Sequence, residues 1–243
     1  MPESAIELLP DQDFRRVLCV FAHPDDAEYG TSAAVSEWTA RGIEVAYLLL
    51  THGEAGMQRP PSEAGPLRAR EQQAACAAVG VSTLQLLDHP DGVLVHSLDL
   101  RRDITRVIRQ FRPDVVVTGS WEIETGWGLN QADHRAAGLA TLDAVRDADN
   151  SWVFPELAQD EGLPKWAVTW LLVSGDSRPT HGVVASPEAV SRAVASLEAH
   201  AAYLADLPWH AAPADFIPGL LRTQGSSLDT EAGVLFRAHR LRD

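Results

Sequence analysis

Positive charge is scarce in this chain: 20 Lys and Arg stand against 34 Asp and Glu, a formal net charge of −14. That balance excludes nucleic acid and anionic membrane as general partners, since both need a basic face. Cysteine is nearly absent. Cys19 and Cys76 cannot build the framework of a small secreted domain, and neither belongs to a Cys-x-x-Cys pair, so they read as buried free thiols in a reducing compartment. Long apolar runs are missing too; the stretch 45–50 is far too short to span a bilayer. The acidic start Met1-Pro2-Glu3-Ser4 offers no basic n-region before an apolar segment, so no secretory leader is expected, and the expected location is the cytoplasm. Repeats and low-complexity segments are absent.

What is present is an ordinary globular composition, 45% hydrophobic and 22% charged over 243 residues. It suits one α/β unit over 1–243 with a C-terminal helical elaboration from about residue 186. Short β-branched runs at 16–22, 45–50, 84–87, 114–118 and 168–173 read as strands. Helical blocks at 28–40, 67–79, 98–111 and 133–145 lie between them, and the Pro/Gly-rich stretch 56–66 reads as a loop. Ser186-Pro187-Glu188 starts a further helix that runs to about residue 204. The alternation predicts a Rossmann-like α/β fold: a mostly parallel sheet with helices on both faces and its ligand site at the carboxyl ends of the strands.

Three of the first four strand ends carry chemistry: His23-Pro24-Asp25-Asp26, Thr51-His52-Gly53-Glu54 and Asp88-His89-Pro90-Asp91. The first is the sharpest. A His and two consecutive Asp directly after a buried strand are costly to dehydrate unless a cation compensates them. Proline keeps the backbone extended at His23, so that its imidazole and Asp26 can converge on one ion, leaving Asp25 beside it to move a proton. The glycine fingerprint of dinucleotide-binding turns is absent, and phosphate would not tolerate two carboxylates there. The structural alternative has Asp26 capping the next helix and His23 packed in the core. A hydrolytic Zn²⁺ takes three protein ligands and keeps a fourth position for water. His134, near the start of the helix after the fourth strand, is the choice for the third, with Asp133 beside it supporting the ligands rather than binding the metal. Its own alternative is a surface His on an amphipathic helix.

These motifs, in this order, resemble the LmbE-like (PIG-L) zinc-dependent N-deacetylase family, which includes the deacetylases of N-acetylglucosaminyl-phosphatidylinositol and of the mycothiol precursor. The likeness begins at Ala22-His23-Pro24-Asp25-Asp26-Ala27-Glu28. It continues through Thr51-His52-Gly53-Glu54, Arg68 and Glu71, Pro90-Asp91-Gly92, Pro113-Asp114 and Asp133-His134, to His200. The resemblance implies one Zn²⁺ per chain, with Fe²⁺ or Co²⁺ able to use the same ligands in vivo. It implies His23, Asp26 and His134 as ligands, Asp25 as general base, and Arg68 with Asp91 at the substrate end. An ion pair with Glu71 or Glu63 is the alternative for Arg68. His52 is a weaker candidate, a second metal at His89 is less well supported than a plain turn, and His200 reads as a helix-face histidine.

The chain departs from the family at Gln131, where His-Pro-Asp-His commonly stands. Glutamine can donate a hydrogen bond to an oxyanion but cannot supply a proton, so the identity of the acid is open. The expected function is zinc-dependent removal of an N-acetyl or N-acyl group from an amino sugar or sugar conjugate, a small-molecule substrate; a homo-oligomer is compatible with this. One alternative is an amidase or deacylase acting on a natural product or thiol conjugate, with the loop Trp121–Trp127 lining its pocket. The other is a non-catalytic metal-binding relative.

Overall fold

The computed structural model describes residues 6–242. Its elements are β1 (Glu7–Leu8), β2 (Arg16–Phe21), α1 (Ser32–Ala40), β3 (Glu44–Leu49), α2 (Pro61–Ala78), β4 (Thr83–Leu86), α3 (Leu98–Phe111), β5 (Val115–Gly119), β6 (Glu124–Thr125), β7 (Gly128–Leu129), α4 (Ala132–Ala148), α5 (Pro155–Gln159), β8 (Trp170–Ser174), β9 (His181–Val184), α6 (Pro187–Glu198), α7 (Ala201–Ala205), α8 (Pro213–Ser226) and β10 (Gly233–Arg240).

Eight strands form one sheet in the order β1-β9-β10-β8-β5-β2-β3-β4, and β6 and β7 form a separate hairpin. Strands β8, β5, β2, β3 and β4 are mutually parallel; β10 runs antiparallel between β8 and β9. Alternate side chains of the central strands fill two cores. Val17, Cys19 and Phe21 of β2 join one, while Leu18 and Val20 join the other. Burial on both faces is why these strands read as unbroken apolar runs. Among the described residues no helix is long and apolar enough to cross a membrane.

The chain order reverses at β2: β3 and β4 are added on one side, then the chain crosses back to place β5 on the other. The crevice at the carboxyl ends of β2 and β5 is therefore the topological switch point, where open α/β sheets bind ligands.

Helix α2 begins six residues before the expected 67 and contains Gly65 and Pro66, so part of the stretch read as a loop is helical. Gly65 lets α2 pass close to the end of β3: a Cβ there would lie 3.3 Å from the Cβ of Glu54 and 3.4 Å from that of His52. Helix α1 begins at Ser32 rather than 28, because Ala27 O accepts from Gly30, Thr31 and Ser32 in a tight turn. The C-terminal elaboration is not purely helical, since β10 re-enters the main sheet. The helix expected to run to 204 stops at Glu198 and restarts after His200.

Candidate metal centre

Strand β2 delivers the chain into the turn Ala22–Asp26, whose backbone is held from two sides. Thr51 Oγ1, at the end of β3, donates to Ala22 O (2.9 Å). Helix α2 grips the turn with two side chains one helical turn apart. Gln72 Oε1 accepts from Asp25 N (2.9 Å), and Arg68 donates to Pro24 O and to Gly53 O (3.0 Å). Between these anchors Asp25 takes a φ of +89°, a value that L residues rarely adopt and that marks stored strain.

The strained turn points two carboxylates in different directions. Asp25 Oδ1 lies 3.0 Å from the Arg68 guanidinium, and both side chains are buried. Asp26 faces the opposite way. Its Oδ1 is 3.0 Å from His134 Nε2, and its Oδ2 is 3.6 Å from His23 Nδ1. Ligand atoms of His23, Asp26 and His134 all lie within 4.8 Å of one another, which is close enough to hold one metal ion.

Behind this group, His23 Nε2 lies 3.0 Å from Asp91 and 3.3 Å from Asp133. Both carboxylates already accept backbone N–H groups: Asp133 from Gly92 and Leu94, and Asp91 from Ala55. A second donor group, His23 with Asp91 and Asp133, also falls within 4.8 Å. Its carboxylates accept three backbone amides as well as the imidazole, whereas in the first group Asp26 Oδ2 accepts one, from His23 N (2.9 Å), and Asp26 Oδ1 faces only His134 Nε2. Carboxylates that orient the far nitrogen of a ligating His are the usual support of such sites.

The electrostatics call for added positive charge. Four carboxylates, Asp25, Asp26, Asp91 and Asp133, meet a single guanidinium, that of Arg68. Burial acts to lower the pKa of His23, yet Asp26, Asp133 and Asp91 push it up to about 12. Asp26 would be raised by burial, but His134 and His23 hold it well below the carboxylate range. Burial raises the Asp25 carboxyl, against the pull of Arg68. A pocket that binds a proton this strongly suits a divalent cation, which satisfies the same carboxylates and leaves both imidazoles neutral.

Residues 18–145, just over half of the chain, match the family described as PIG-L, GlcNAc-PI de-N-acetylase. The chain belongs to the PIG-L family. It is 34% identical over 140 residues to diacetylchitobiose deacetylase of Thermococcus kodakarensis, covering 56% of this chain and 51% of that one. It is 31% identical over 250 residues to the 1D-myo-inositol 2-acetamido-2-deoxy-alpha-D-glucopyranoside deacetylase of Kineococcus radiotolerans, covering 77% and 68% respectively. The match to the first of these spans about half of that relative's length. Among solved structures, N,N'-diacetylchitobiose deacetylase from Pyrococcus horikoshii shares the fold with a TM-score of 0.86. At 22% identity, that alignment covers 95% of this chain and 86% of that one.

Within this PIG-L chain the expected residues do not all face the opening. Arg68, expected at the substrate end, is 2% exposed and stacks at 4.2 Å on the Tyr203 ring; it pairs with Asp25, not with Glu71 or Glu63. Gly53 of the second motif and Gly56 just after it make room for it: a Cβ at either would come 2.3 or 2.5 Å from its Nη1. Asp91, also expected at the substrate end, is buried against His23. Gln131 is exposed at the N-cap of α4, and its side chain makes no capping bond. His52 and His89 pair with Asp88 and Asp103, and the two candidate metal groups among the described residues both contain His23. His200 is not a helix-face residue. It is fully buried with Nε2 3.8 Å from Glu28 Oε2, because the helix breaks there and turns the ring inward. Trp127 of the aromatic loop is exposed and lies over Gly175, where a Cβ would meet its ring at 2.4 Å.

Sequence reasoning missed Gln72 and Asn130. Gln72 had a readable signal, one turn after Arg68 on the same face of α2. Asn130 had none, since it sits outside any regular element, between β7 and the N-cap of α4.

Proposed function

We propose that this chain is a zinc-dependent hydrolase that removes an N-acetyl group from an amino sugar or sugar conjugate. The observation that carries the reading is the convergence of His23, Asp26 and His134 beside a buried Asp25 that is held off them by Arg68. Two imidazoles and one carboxylate form a nitrogen/oxygen set that suits zinc and leaves a coordination position free. When bound, the metal supplies a Lewis acid that acidifies water and polarises an acyl oxygen.

The remaining chemistry belongs to the chain. Asp25 takes the proton of the attacking water as the new C–O bond forms. It then returns that proton to the nitrogen as the C–N bond breaks, giving acetate and a free amine. Burial lifts its carboxyl toward a working range while Arg68 keeps the anion accessible. Arg68 and Gln72 position Asp25; Asp91 and Asp133 position His23. Gln131, exposed at the mouth of the site, donates a hydrogen bond to the acyl oxygen and moves no proton. The family deacetylases named above, which act on acetylated amino sugars, support the substrate class, and two free buried thiols suit a cytoplasmic setting.

Asp25→Asn tests this directly, because Asn tolerates a positive φ at least as well as Asp. Amine release should cease while zinc content stays near one per chain; loss of the metal would show that base and ligand have been confused. A second reading, a deacylase of a larger natural product, is favoured by the exposed Ile123, Trp127 and Leu129 on the hairpin beside the site. Preferential release of a long acyl chain over acetate would select it. Full zinc occupancy without turnover of any N-acyl amine would instead select a non-catalytic metal-binding role.

A further inference from the structure

The two histidines of the metal centre are supported by different chemistry. His23 has carboxylates behind it, whereas His134, the more exposed ring, has a neutral amide. That amide belongs to Asn130, itself 4% exposed. Asn130 Nδ2 donates to the carbonyls of Ser120 (2.6 Å) and Glu122 (3.0 Å). Carbonyl oxygens only accept, so the nitrogen of the amide must lie on that side and Oδ1 must face His134 Nδ1, 3.3 Å away. An amide oxygen also only accepts, so the hydrogen between the two groups belongs to the imidazole. His134 is then protonated at Nδ1, and its Nε2, 3.0 Å from Asp26 Oδ1, is the nitrogen that would give its lone pair to a cation taking the place of the hydrogen between them.

For His23 the same logic runs the other way. Its Nε2 faces Asp91 and Asp133, so Nε2 carries the hydrogen and Nδ1 is left toward Asp26. We infer that Asn130 is a positioning residue that locks His134 in the Nδ1–H tautomer, so that the two imidazoles offer opposite nitrogens, Nδ1 of His23 and Nε2 of His134, to one ion. This rests on the metal-site reading above. Asn130 is anchored at both ends: its backbone N–H donates to Ile123 O (2.8 Å) and its carbonyl accepts from Arg135, while the two bonds of Nδ2 hold the side-chain amide toward the ring. A neutral acceptor also donates less electron density through the ring than a carboxylate does, which leaves the bound ion more electrophilic than two carboxylate-backed histidines would.

The test uses the full chain labelled with ¹⁵N-histidine and loaded with Zn²⁺ or ¹¹³Cd²⁺. Long-range ¹H–¹⁵N spectra should show His134 protonated at Nδ1 and metal-bound at Nε2, and His23 the reverse. Asn130→Leu, similar in size but without donor or acceptor, should weaken zinc binding in chelator competition by about 10–100-fold. It should also expose the His134 Nδ1 hydrogen to rapid exchange. A purely structural role would loosen the hairpin and lower Tm while leaving tautomer and zinc affinity as they were, and that result overturns the inference. So does His134 bound through Nδ1 in the wild type, which decides the matter even if the Leu variant does not fold. A wild-type chain that takes up neither ion would instead overturn the metal reading on which the inference stands.

Discussion

Gly53→Ala is a change outside the ligand set that should disable the site through Arg68. A Cβ at position 53 would sit 2.3 Å from Arg68 Nη1 and 2.7 Å from its Cζ, where ordinary contact is 3.4–4 Å. The guanidinium must therefore move by more than 1 Å, and it has no free space, since its side chain is 3% exposed. Moving it breaks the bonds to Gly53 O and Pro24 O and the pairing with Asp25. Losing one charge-assisted bond costs about 1.5–3 kcal/mol. Alanine at a φ of +63° adds about 1–2 kcal/mol of backbone strain. The sum with one such bond counted, about 2.5–5 kcal/mol, is a large share of a typical domain's stability. A double-mutant cycle in urea separates the two parts. With Arg68→Ala already present, Gly53→Ala should cost only the backbone part of about 1–2 kcal/mol, giving a coupling of about 1.5–3 kcal/mol. Contact with the Pro24 ring at 3.0 Å is common to both backgrounds and cancels. Amine release should fall with zinc content unchanged, since Asp25 and not a ligand is released. Equal costs in both backgrounds would refute the argument that this glycine exists to admit Arg68.

Asp91→Asn should weaken zinc binding about tenfold in chelator competition, with Asp133 still holding His23; a raised KM with unchanged zinc affinity would return Asp91 to the substrate. Saturating zinc at a thousandfold excess over Kd should stabilise the chain by about 4 kcal/mol, roughly 8–16 °C in Tm by calorimetry, and chelation should reverse it. Arg109→Leu should destabilise by about 3–5 kcal/mol in urea without altering turnover per folded molecule. Buried Arg109 donates to five carbonyls, those of Asp147, Ala148, Asn150, Val153 and Phe154, and tethers the chain that leaves α4. Cys19 and Cys76 should resist iodoacetamide at pH 8 until the chain unfolds, because burial pushes both thiols up, Cys76 to about 12, and the thiolate is the reactive form.

Much of the fold was legible because its signals are local. The apolar runs of β2, β3 and β5 are buried on both faces, and α3 begins at its Ser97 cap and ends at residue 111 as expected. Elements whose stability comes from distant partners were not legible. Strand β9 is four residues long, and β10 owes its place to pairing with β8 and β9 across the sheet. Pro66 and Gly65 read as breakers, yet α2 runs through both because its inner face is tied to the β2 turn by Arg68 and Gln72.

The candidate site divides in the same way. His23, Asp25 and Asp26, within four residues of one another, announced themselves, since a His and two acids after a buried strand cannot be dehydrated without compensation. Which carboxylate faces the histidines and which faces an arginine goes with a strained φ in a turn held by α2 and by Thr51. Sequence alone therefore settled which kinds of groups gather at the carboxyl end of the sheet. Tertiary structure decided which partner each side chain meets, setting Arg68 against Asp25 and Asp91 against His23, because orientation depends on partners that lie tens of residues away along the chain.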